Sequence, residues 1–534
     1  MKKFKINVVV LLGALAGLSS CTKDLNVLPK DPTVQTSDAF YAQPGAYKQA
    51  LAGVYGNLSL TGTQGAGSSS LQGLDAGTSE YGRCLWYLQD LTTDEALWSY
   101  EHDPGVPELQ RNIWTSTNPV ILGMFSRSMV EVAFVNDFLK NTSPSVLSGR
   151  GVTDPTLLGQ ISDYRNEVRV LRALAYYDLM DLFGKAPFVT ENDPVNTAGP
   201  EYNRQQLFTF IESELNAVIP NLKPARTNEY GRVDQAVAQM ILAKIYLNAE
   251  VYIGTPKYTE CVAQCNAIIA GGYTLNTNYL NNFNADNNTS SEMIFTLQSD
   301  GTYTQNYGPT TVFVNGEVGS IEQNGTALGV SSGGWGGALR LRKEFVHKFD
   351  GPTFANDSRN TILHAPTRTL DIADIANKDQ GYILQKFTNK TAAGVAGINS
   401  TFVDTDFPLF RLADVYLMYA ECALRGASGA STSQALTYVN ALRERANAGA
   451  TGADIASGDL TLDFILDERA RELHWEAHRR QDLIRFNKFA GGNYNWAWKG
   501  NASNGVAIPS TLNIFPIPIN ALDSNSNLSQ NPGY

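Results

Sequence analysis

Cysteine, histidine and charged residues are all scarce in this chain of 534 residues. It holds five cysteines and five histidines, and charged residues make up 17% of the sequence. Five cysteines are too few for a disulfide scaffold in a chain of this length. The net charge is −11 and no run of five or more basic residues occurs, which argues against nucleic acid as a partner.

The common catalytic motifs are missing as well. The sequence contains no G-x-S-x-G elbow, no P-loop and no dinucleotide fingerprint between a strand and a helix. His474 and His478 stand four apart, but the segment HWEAH differs from the H-E-x-x-H zinc motif, so a buried histidine pair is the favoured interpretation. Asp94 and Glu95 are the candidate pair of glycosidase carboxylates. Such pairs act at set separations across a bound sugar. We therefore predict a protein that is not an enzyme and that has no metal site.

The sequence also has no apolar run that is long enough to span a membrane, and the short apolar run near the N-terminus indicates a different feature. Residues 8–18 are apolar, which is short of the roughly 20 residues that cross a bilayer. They follow a short basic segment and precede Leu18-Ser19-Ser20-Cys21. This order is typical of a bacterial lipoprotein signal, so we expect cleavage before Cys21 and a diacylglycerol on its thiol. Residues 1–20 are then the signal peptide and residues 21–32 a lipidated tether on the membrane surface.

Apolar periodicity predicts a mainly α fold. Apolar side chains at spacings of three and four residues recur in seven segments. These predicted helices cover residues 165–183, 207–219, 233–250, 258–270, 409–424, 433–446 and about 461–489. Gly184 is expected to end the first of them, and Thr461 to cap the start of the last. Pairs of helices with short breaks indicate a tetratricopeptide-like array.

Long polar stretches interrupt these helices. Residues 61–79 and 276–337 are rich in Gly, Ser, Thr and Asn, and only Met293-Ile294-Phe295 looks like a strand. Such stretches in a compact protein are usually functional loops. We expect a single domain over residues 33–534. Its predicted parts are a helical scaffold at about 33–275 and 405–490, a loop-rich ligand-binding insert at about 276–404 and a C-terminal tail at 491–534.

Six segments, in this order, resemble the SusD/RagB family of outer-membrane nutrient-binding lipoproteins of the Bacteroidetes. They are CTKDL after the signal, RNEVRVLRALAYYDLMDLFGKAP (165–187), AKIYL (243–247), FPLFRLADVYLMYAECA (407–423), DERARELHWEAHRRQDLIRF (467–486) and the terminal QNPGY. The resemblance implies a helical-pair scaffold whose loops and few small strands form a ligand face. It also implies a cell-surface lipoprotein of the outer membrane that passes a glycan or another nutrient to a TonB-dependent transporter of the SusC type. No catalysis and no cofactor are implied, and a structural calcium ion stays open.

Aromatic residues in the loop-like stretch after Asp94-Glu95 and in the polar stretch 276–337 are the candidate ligand contacts, because sugar rings stack their C–H faces on Trp and Tyr. The candidates are Trp98, Tyr100, Tyr303, Tyr307 and Trp335, which fall in the two regions that form the sugar platform of the starch-binding relatives. For Trp98, ligand contact is favoured over a place in the core. For Trp335 the two interpretations stand equal.

Several other residues favour structural roles. Trp86 is expected in the core. Trp496 and Trp498 form an i,i+2 pair for which a second sugar surface is the less favoured interpretation. Cys261 and Cys265 share a helix face without a histidine partner, so we expect small buried hydrophobes and no zinc site.

Two alternatives to glycan capture stay open. A member of the same family could bind peptides, which would favour strand edges and charged pockets over an aromatic platform. A surface-anchored glycoside hydrolase is the alternative from another class.

Overall fold

Helices dominate the chain, as the sequence predicts. The structure is a computed structural model that describes residues 36–319 and 321–534, so Cys21 and the predicted signal lie outside the described residues. Helices account for 46% and strands for 7%, which confirms the mainly α fold with small sheets. Within the described residues, no helix is long and apolar enough to cross a membrane.

The α-helices of the described chain are numbered in sequence order. They are α1 (Ser37–Tyr41), α2 (Ala46–Gly56), α3 (Tyr81–Trp86), α4 (Val106–Gln110), α5 (Pro119–Asn141), α6 (Pro144–Gly149), α7 (Pro155–Phe183), α8 (Arg204–Val218), α9 (Gln235–Leu247), α10 (Ala249–Ile253), α11 (Tyr258–Ala270), α12 (Pro309–Gly316), α13 (Lys343–Val346), α14 (Leu412–Leu424), α15 (Thr432–Ala446), α16 (Leu462–Leu473), α17 (Arg479–Arg485) and α18 (Ile519–Ser524).

Neighbouring helices pack in pairs that build the scaffold. Helix α7 packs against α5 and α8, α9 packs against α11, and α14 packs against α11, α15 and α16. The termini follow the sequence signals. Asp154 caps α7 by accepting the Thr156 amide, and Gly184 ends it with φ +70°. Thr461 accepts the Phe464 amide at the start of α16, as predicted.

Among the residues that the structure describes, eight short strands form four two-stranded antiparallel sheets. The pairs are β1 (Ala96–Trp98) with β5 (Leu339–Leu341), β2 (Lys185–Pro187) with β3 (Glu201–Asn203), β4 (Met293–Leu297) with β8 (Phe407–Arg411), and β6 (Ile362–Leu363) with β7 (Ile383–Leu384). Each sheet fastens a loop segment to the helical scaffold or to another loop. The β1–β5 pair joins two distant parts of the sequence that both carry aromatic side chains.

Most buried apolar side chains belong to one cluster that extends from Tyr41 to Ile517. Trp86 lies in it without solvent exposure, as predicted. A second, small cluster contains Leu97, Ile372 and Ile375, and Trp498 packs against it.

The prediction of a single long helix over residues 461–489 is wrong. Helix α16 ends at Leu473, and Trp475 and Ala477 have positive φ values of 61° before α17 begins. Two buried carboxylates stabilise this turn: Glu95 accepts the Trp475 amide, and Asp90 accepts the amides of the next three residues, 477–479. Apolar periodicity does not reveal such distant hydrogen bonds.

Other parts of the prediction also differ from the structure; for example, α7 begins at Pro155, ten residues before the predicted start. Residues 407–411 are strand β8 and not the start of a helix, because they pair with β4 before α14 begins at Leu412. The polar stretch 276–337 contains helix α12, whose side chains are all buried and whose short apolar run gave too weak a periodic signal.

Arginines of the 467–486 segment form a buried network that reaches far beyond local i,i+3 and i,i+4 pairs. Arg471–Glu468 and Arg485–Asp482 are local pairs. Others join separate elements, such as Arg469 with Asp414 at 2.8 Å. The network ties β8, α14, α16 and α17 together.

Candidate functional site

Three aromatic side chains predicted as ligand contacts meet at the β1–β5 pair. Trp98 ends β1 and pairs with Leu339 of β5, and the Ser99 amide donates to the carbonyl of Ala338 at 2.8 Å. Because Trp335 lies just before β5, this register brings it to Trp98. Their ring centroids lie 6.1 Å apart, with an angle of 88° between the ring planes.

Tyr100 completes the group. Its ring lies 5.4 Å from that of Trp98 at 89°, and its hydroxyl donates to the backbone carbonyl of Trp335. Edge-to-face contacts of this kind are the preferred geometry of aromatic pairs. Burial raises the pKa of Tyr100, followed by the effect of the Asp103 carboxylate, so the hydroxyl is neutral and remains a donor at physiological pH.

Trp98 lies beneath this group and not on its surface. Only 1% of it is exposed. Its indole N–H donates to Asp103 Oδ2 at 2.7 Å, and the Gln110 side chain bonds both its amide and its carbonyl. The expected direct ligand contact does not fit this position, because the ring is covered and its donor is used. The sequence predicts a loop around Trp98, whereas residues 96–98 are a buried strand.

Tyr100 and Trp335 are both half-buried, so each packs against the core and keeps part of its surface in solvent. The loop around Trp335 is tight. Gly334 has φ +43°, and a Cβ there would meet Val318 Cγ2 at 2.4 Å. The Trp335 amide donates to the carbonyl of Asn315 at the end of α12. A glycine is therefore required beside Trp335, and the loop holds the indole in place.

A lysine that the sequence does not single out borders the same group. The Lys378 ammonium lies 4.6 Å from the centre of the Tyr100 ring. It is half-buried, and a Cβ at Gly336 would lie 3.4 Å from its Nζ. The contact is a cation–π interaction that also places a hydrogen-bond donor at the edge of the aromatic group. Nothing in its local sequence indicates this position, since residues 370–380 are an irregular loop.

The other two candidates, Tyr303 and Tyr307, lie on a separate loop between β4 and α12. Tyr303 is 87% exposed, and its amide donates to Asp300 Oδ1 at 2.7 Å. Tyr307 is half-buried against Phe402, with ring centroids 5.1 Å apart. Its carbonyl accepts a long hydrogen bond from Arg83, at 3.5 Å.

Residues 399–404 connect this loop to the Trp335 loop. On one side, Asn315 Nδ2 donates to the carbonyl of Thr401, and the Ser331 amide donates to the carbonyl of Ser400. On the other side, Ser299 Oγ donates to the carbonyl of Val403 at 2.7 Å. The candidates thus form two groups, Trp98–Tyr100–Trp335 and Tyr303–Tyr307, joined by one short segment.

Asp94 and Glu95 are structural. Although burial alone would raise the pKa of Asp94, its two-fold ion pair with Arg479 holds that pKa below its usual range. Burial, and then the neighbouring Asp90 charge, raises the pKa of Glu95 well above its usual range. Both side chains are at most 1% exposed, so neither reaches a sugar at the surface.

The remaining predicted sites are core positions as well. His474 and His478 are buried, and burial lowers the pKa of each well below its usual range, so both are neutral. Trp496 is fully buried, and the Trp498 indole donates to the carbonyl of Ile372 at 2.9 Å, so the pair makes no open sugar surface.

Cys261 and Cys265 are buried free thiols, as expected. Across residues 36–319 and 321–534, no group of three or more histidine, cysteine or acidic side chains could hold a metal ion.

The fold is a scaffold of helical pairs that carries two half-exposed aromatic rings, Tyr100 and Trp335. The sequence profile of the SusD family matches residues 271–534. The chain is 33% identical to the starch-binding protein SusD of Bacteroides thetaiotaomicron, over 97% of this chain and 96% of that protein. The chain therefore belongs to the SusD family.

Solved structures show the same fold. A SusD homologue from Bacteroides thetaiotaomicron has a TM-score of 0.71 at 20% identity and covers 94% of this chain and 99% of its own. The surface glycan-binding protein A of the same species, solved in complex with laminarihexaose, has a TM-score of 0.68 at 20% identity, with 91% and 99% covered. The 33% identical relative is named for starch binding and not for catalysis, which supports the prediction that the chain is not an enzyme.

Proposed function

We propose that this protein is a cell-surface lipoprotein that captures an oligo- or polysaccharide on the face formed by Tyr100, Trp335 and Tyr303, and delivers it to a TonB-dependent transporter of the SusC type. The observation that carries the proposal is the Tyr100–Trp335 pair. Both rings are fixed by Trp98 beneath them, and both keep part of their surface in solvent.

The chemistry of the face suits a neutral sugar chain. Half-exposed rings offer apolar surface to the C–H faces of pyranose rings, and Lys378 and nearby backbone groups offer hydrogen bonds to hydroxyls. Because the rings are held before ligand arrives, little conformational entropy is lost when a sugar stacks on them. Trp98 serves this face by positioning the other two rings.

An α-glucan of the starch type is the first candidate substrate. The support is the 33% identity to the starch-binding protein SusD over nearly the whole chain. A β-glucan of the laminarin type is the second, suggested by the structural relative in complex with laminarihexaose, whose 20% identity supports the fold alone. The two glucans differ in linkage and so in chain curvature, which a rigid pair of rings can discriminate.

The anchor and the transporter are supported by sequence. The lipoprotein signal places Cys21 at the mature N-terminus, and acyl chains contribute about 0.8 kcal/mol per buried methylene to membrane binding. Membership of the SusD family supports export to the outer membrane and delivery to a SusC-type partner.

A peptide ligand is the second candidate within the same family. A polar cleft of about 210 Å³ lies beside β4 and is lined by Arg226, Arg232 and Asp234 among others. A charged cleft along a strand is the kind of site that an extended peptide uses. A surface glycoside hydrolase is disfavoured by the burial and ion pairing of Asp94 and the burial of Glu95.

The experiment that decides the ligand class is a binding screen on residues 22–534. Maltoheptaose, amylopectin, laminarihexaose and a library of short peptides are titrated by calorimetry, and the reducing ends released from each glycan are measured. We expect binding of one glucan type without release of reducing ends. Binding of peptides alone would favour the second candidate, and released reducing ends would indicate a hydrolase.

The anchor and the partner need the full chain in a native membrane. Labelled palmitate should be incorporated by the wild type and not by Cys21→Ala, and the variant should leave the membrane fraction. Affinity isolation of the full chain from solubilised outer membranes should retrieve a TonB-dependent barrel protein. Isolation without such a barrel would contradict delivery to a transporter.

A further inference from the structure

One carboxylate joins two exposed loops beside the aromatic face. Asp404 Oδ1 accepts the Gly301 amide at 2.7 Å, and Asp404 Oδ2 accepts the Ile398 amide at 2.9 Å. The first loop carries Tyr303, and the second carries Val395 and Ile398. Each oxygen of the carboxylate therefore holds a different loop, and the two backbones lie within one side chain of each other.

The contact between these loops is close. A Cβ at Gly301 would meet Asn399 Cβ at 2.9 Å and the carbonyl oxygen of Phe402 at 3.0 Å, so only glycine allows this approach. The position of Asp404 is itself fixed, because its amide donates to the side chain of Asn389, a fully buried residue. Asn389 also donates to the carbonyl of Asn399 at 2.9 Å.

The tips of the two loops share an unusual exposure of apolar side chains. Tyr303 is 87% exposed, Ile398 75% and Val395 63%. Exposed apolar residues that lie together commonly mark a binding surface. Here they stand beside the segment 399–404, which also contacts the Trp335 loop through Ser400 and the end of α12 through Thr401.

We propose that Asp404 is a positioning residue that holds the Tyr303 loop and the Val395–Ile398 loop together as one rigid lip of the glycan-binding face. The lip extends the platform for sugar units beyond those stacked on Tyr100 and Trp335. This inference rests on the proposed function for its ligand, but the coupling of the two loops is a property of the protein alone. A charged carboxylate suits the role because it accepts two backbone hydrogen bonds and each is stronger than a neutral one.

The first test is hydrogen exchange of the protein without ligand, read by mass spectrometry. In Asp404→Ala the amides of Gly301 and Ile398 should both exchange faster, by the same factor of at least about tenfold. Asp300→Ala is the matched control, because Asp300 Oδ1 accepts the amides of Thr302 and Tyr303 within one loop. It should accelerate exchange there and leave Ile398 unchanged. Faster exchange in only one loop of Asp404→Ala would overturn the coupling.

The second test is a double-mutant cycle on glycan affinity with maltoheptaose and laminarihexaose as probes. Asp404→Ala should weaken binding by about fivefold through loss of preorganisation. In a Tyr303→Ala, Ile398→Ala background the same change should have no further effect, because the lip then has nothing to position. Full additivity would overturn the proposal. Asp404→Asn, which keeps one acceptor oxygen, replaces the alanine variant if that variant unfolds, and should release only one of the two loops.

The two tests separate the failure of this inference from that of the proposed function. If the wild type binds neither glucan and no other glycan, the ligand assignment fails, while the exchange experiment still decides whether Asp404 couples the loops. If the wild type binds a glycan and Asp404→Ala binds it equally well, the lip has no part in binding and the inference is wrong.

Discussion

The Tyr100 hydroxyl donates a hydrogen bond to the backbone carbonyl of Trp335. This one bond joins the end of β1 to the glycine-rich loop before β5, and thereby sets two half-exposed rings at a fixed angle over Trp98. Tyr100→Phe removes the bond and keeps the ring. We expect glycan affinity to fall about threefold and the free energy of unfolding to fall by about 1 kcal/mol.

Calorimetry and urea unfolding measure these two effects. Tyr438→Phe is the control, because that ring stacks on Tyr416 and its hydroxyl has no hydrogen-bond partner among the described residues. An affinity unchanged in Tyr100→Phe would show that the bond does not position the rings.

Trp98 should support the site from beneath, and Trp335 should contact the ligand. Trp98→Ala leaves a cavity under the site, so the free energy of unfolding should fall by about 3–5 kcal/mol, together with glycan affinity. Trp335→Ala removes a ring that is half in solvent and should cost clearly less stability. Urea unfolding of both variants checks this order, and a larger loss of stability in Trp335→Ala would contradict it.

Arg411 is the centre of the buried ion network. It contacts Glu292 and Glu472 at 2.7 Å and Glu476 at 2.6 Å, and all four side chains are at most 1% exposed. Arg411→Met removes the cation that three buried carboxylates share, although each keeps another basic partner. We therefore expect a loss of about 3–5 kcal/mol in the free energy of unfolding.

Lys488→Met is the control for Arg411, because Lys488 pairs with Asp463 at the surface and should contribute less than about 1 kcal/mol. Chemical unfolding of the two variants gives the comparison. Similar small losses in both would show that the network is not needed for stability.

Glu131 predicts a pH dependence of stability. Burial raises its pKa to about 8, against an ordinary value near 4.5. Between these two values the folded protein holds a proton on Glu131 that the unfolded chain releases. The stability of the folded protein that depends on this proton is therefore fully present below pH 4.5 and is lost as the pH rises to about 8. Glu131→Gln cannot ionise, so its free energy of unfolding should decline less than that of the wild type, by up to about 1.4 kcal/mol per pH unit.

Thermal or urea unfolding between pH 5 and pH 8 measures the difference in slope. Glu108→Gln removes an exposed carboxylate and controls for the change in net charge. Parallel curves for the wild type and Glu131→Gln would mean that Glu131 is ionised in the folded protein.

The sequence predicts seven helical segments from their apolar periods, and α11 has the predicted bounds. The 23-residue helix α5 is not among them. It fails where distant contacts decide the local backbone. The turn after Leu473 depends on hydrogen bonds to Asp90 and Glu95, and strand β8 depends on pairing with β4. No local pattern contains that information.

The candidate site was predicted by residue type and region, and less well by position. The sequence identifies aromatic residues in two loop-like stretches, and three of these residues, Trp98, Tyr100 and Trp335, are in contact. The burial of Trp98 was missed because Asp103 and Gln110, the last residue of α4, satisfy its polar groups, which no local pattern indicates. Lys378 and Asp404 were missed because each acts across a loop contact that only the fold creates.

The most direct test of the account is calorimetric titration of residues 22–534 and of Trp335→Ala with maltoheptaose. Tyr202→Ala is the matched control, because Tyr202 stacks on Phe188 in the β2–β3 region. We expect the wild type and the control to bind. Trp335→Ala should bind at least about tenfold more weakly, a loss of about 1.4 kcal/mol in binding free energy. Equal affinity of all three proteins would contradict the claim that the Tyr100–Trp335 face binds the glycan.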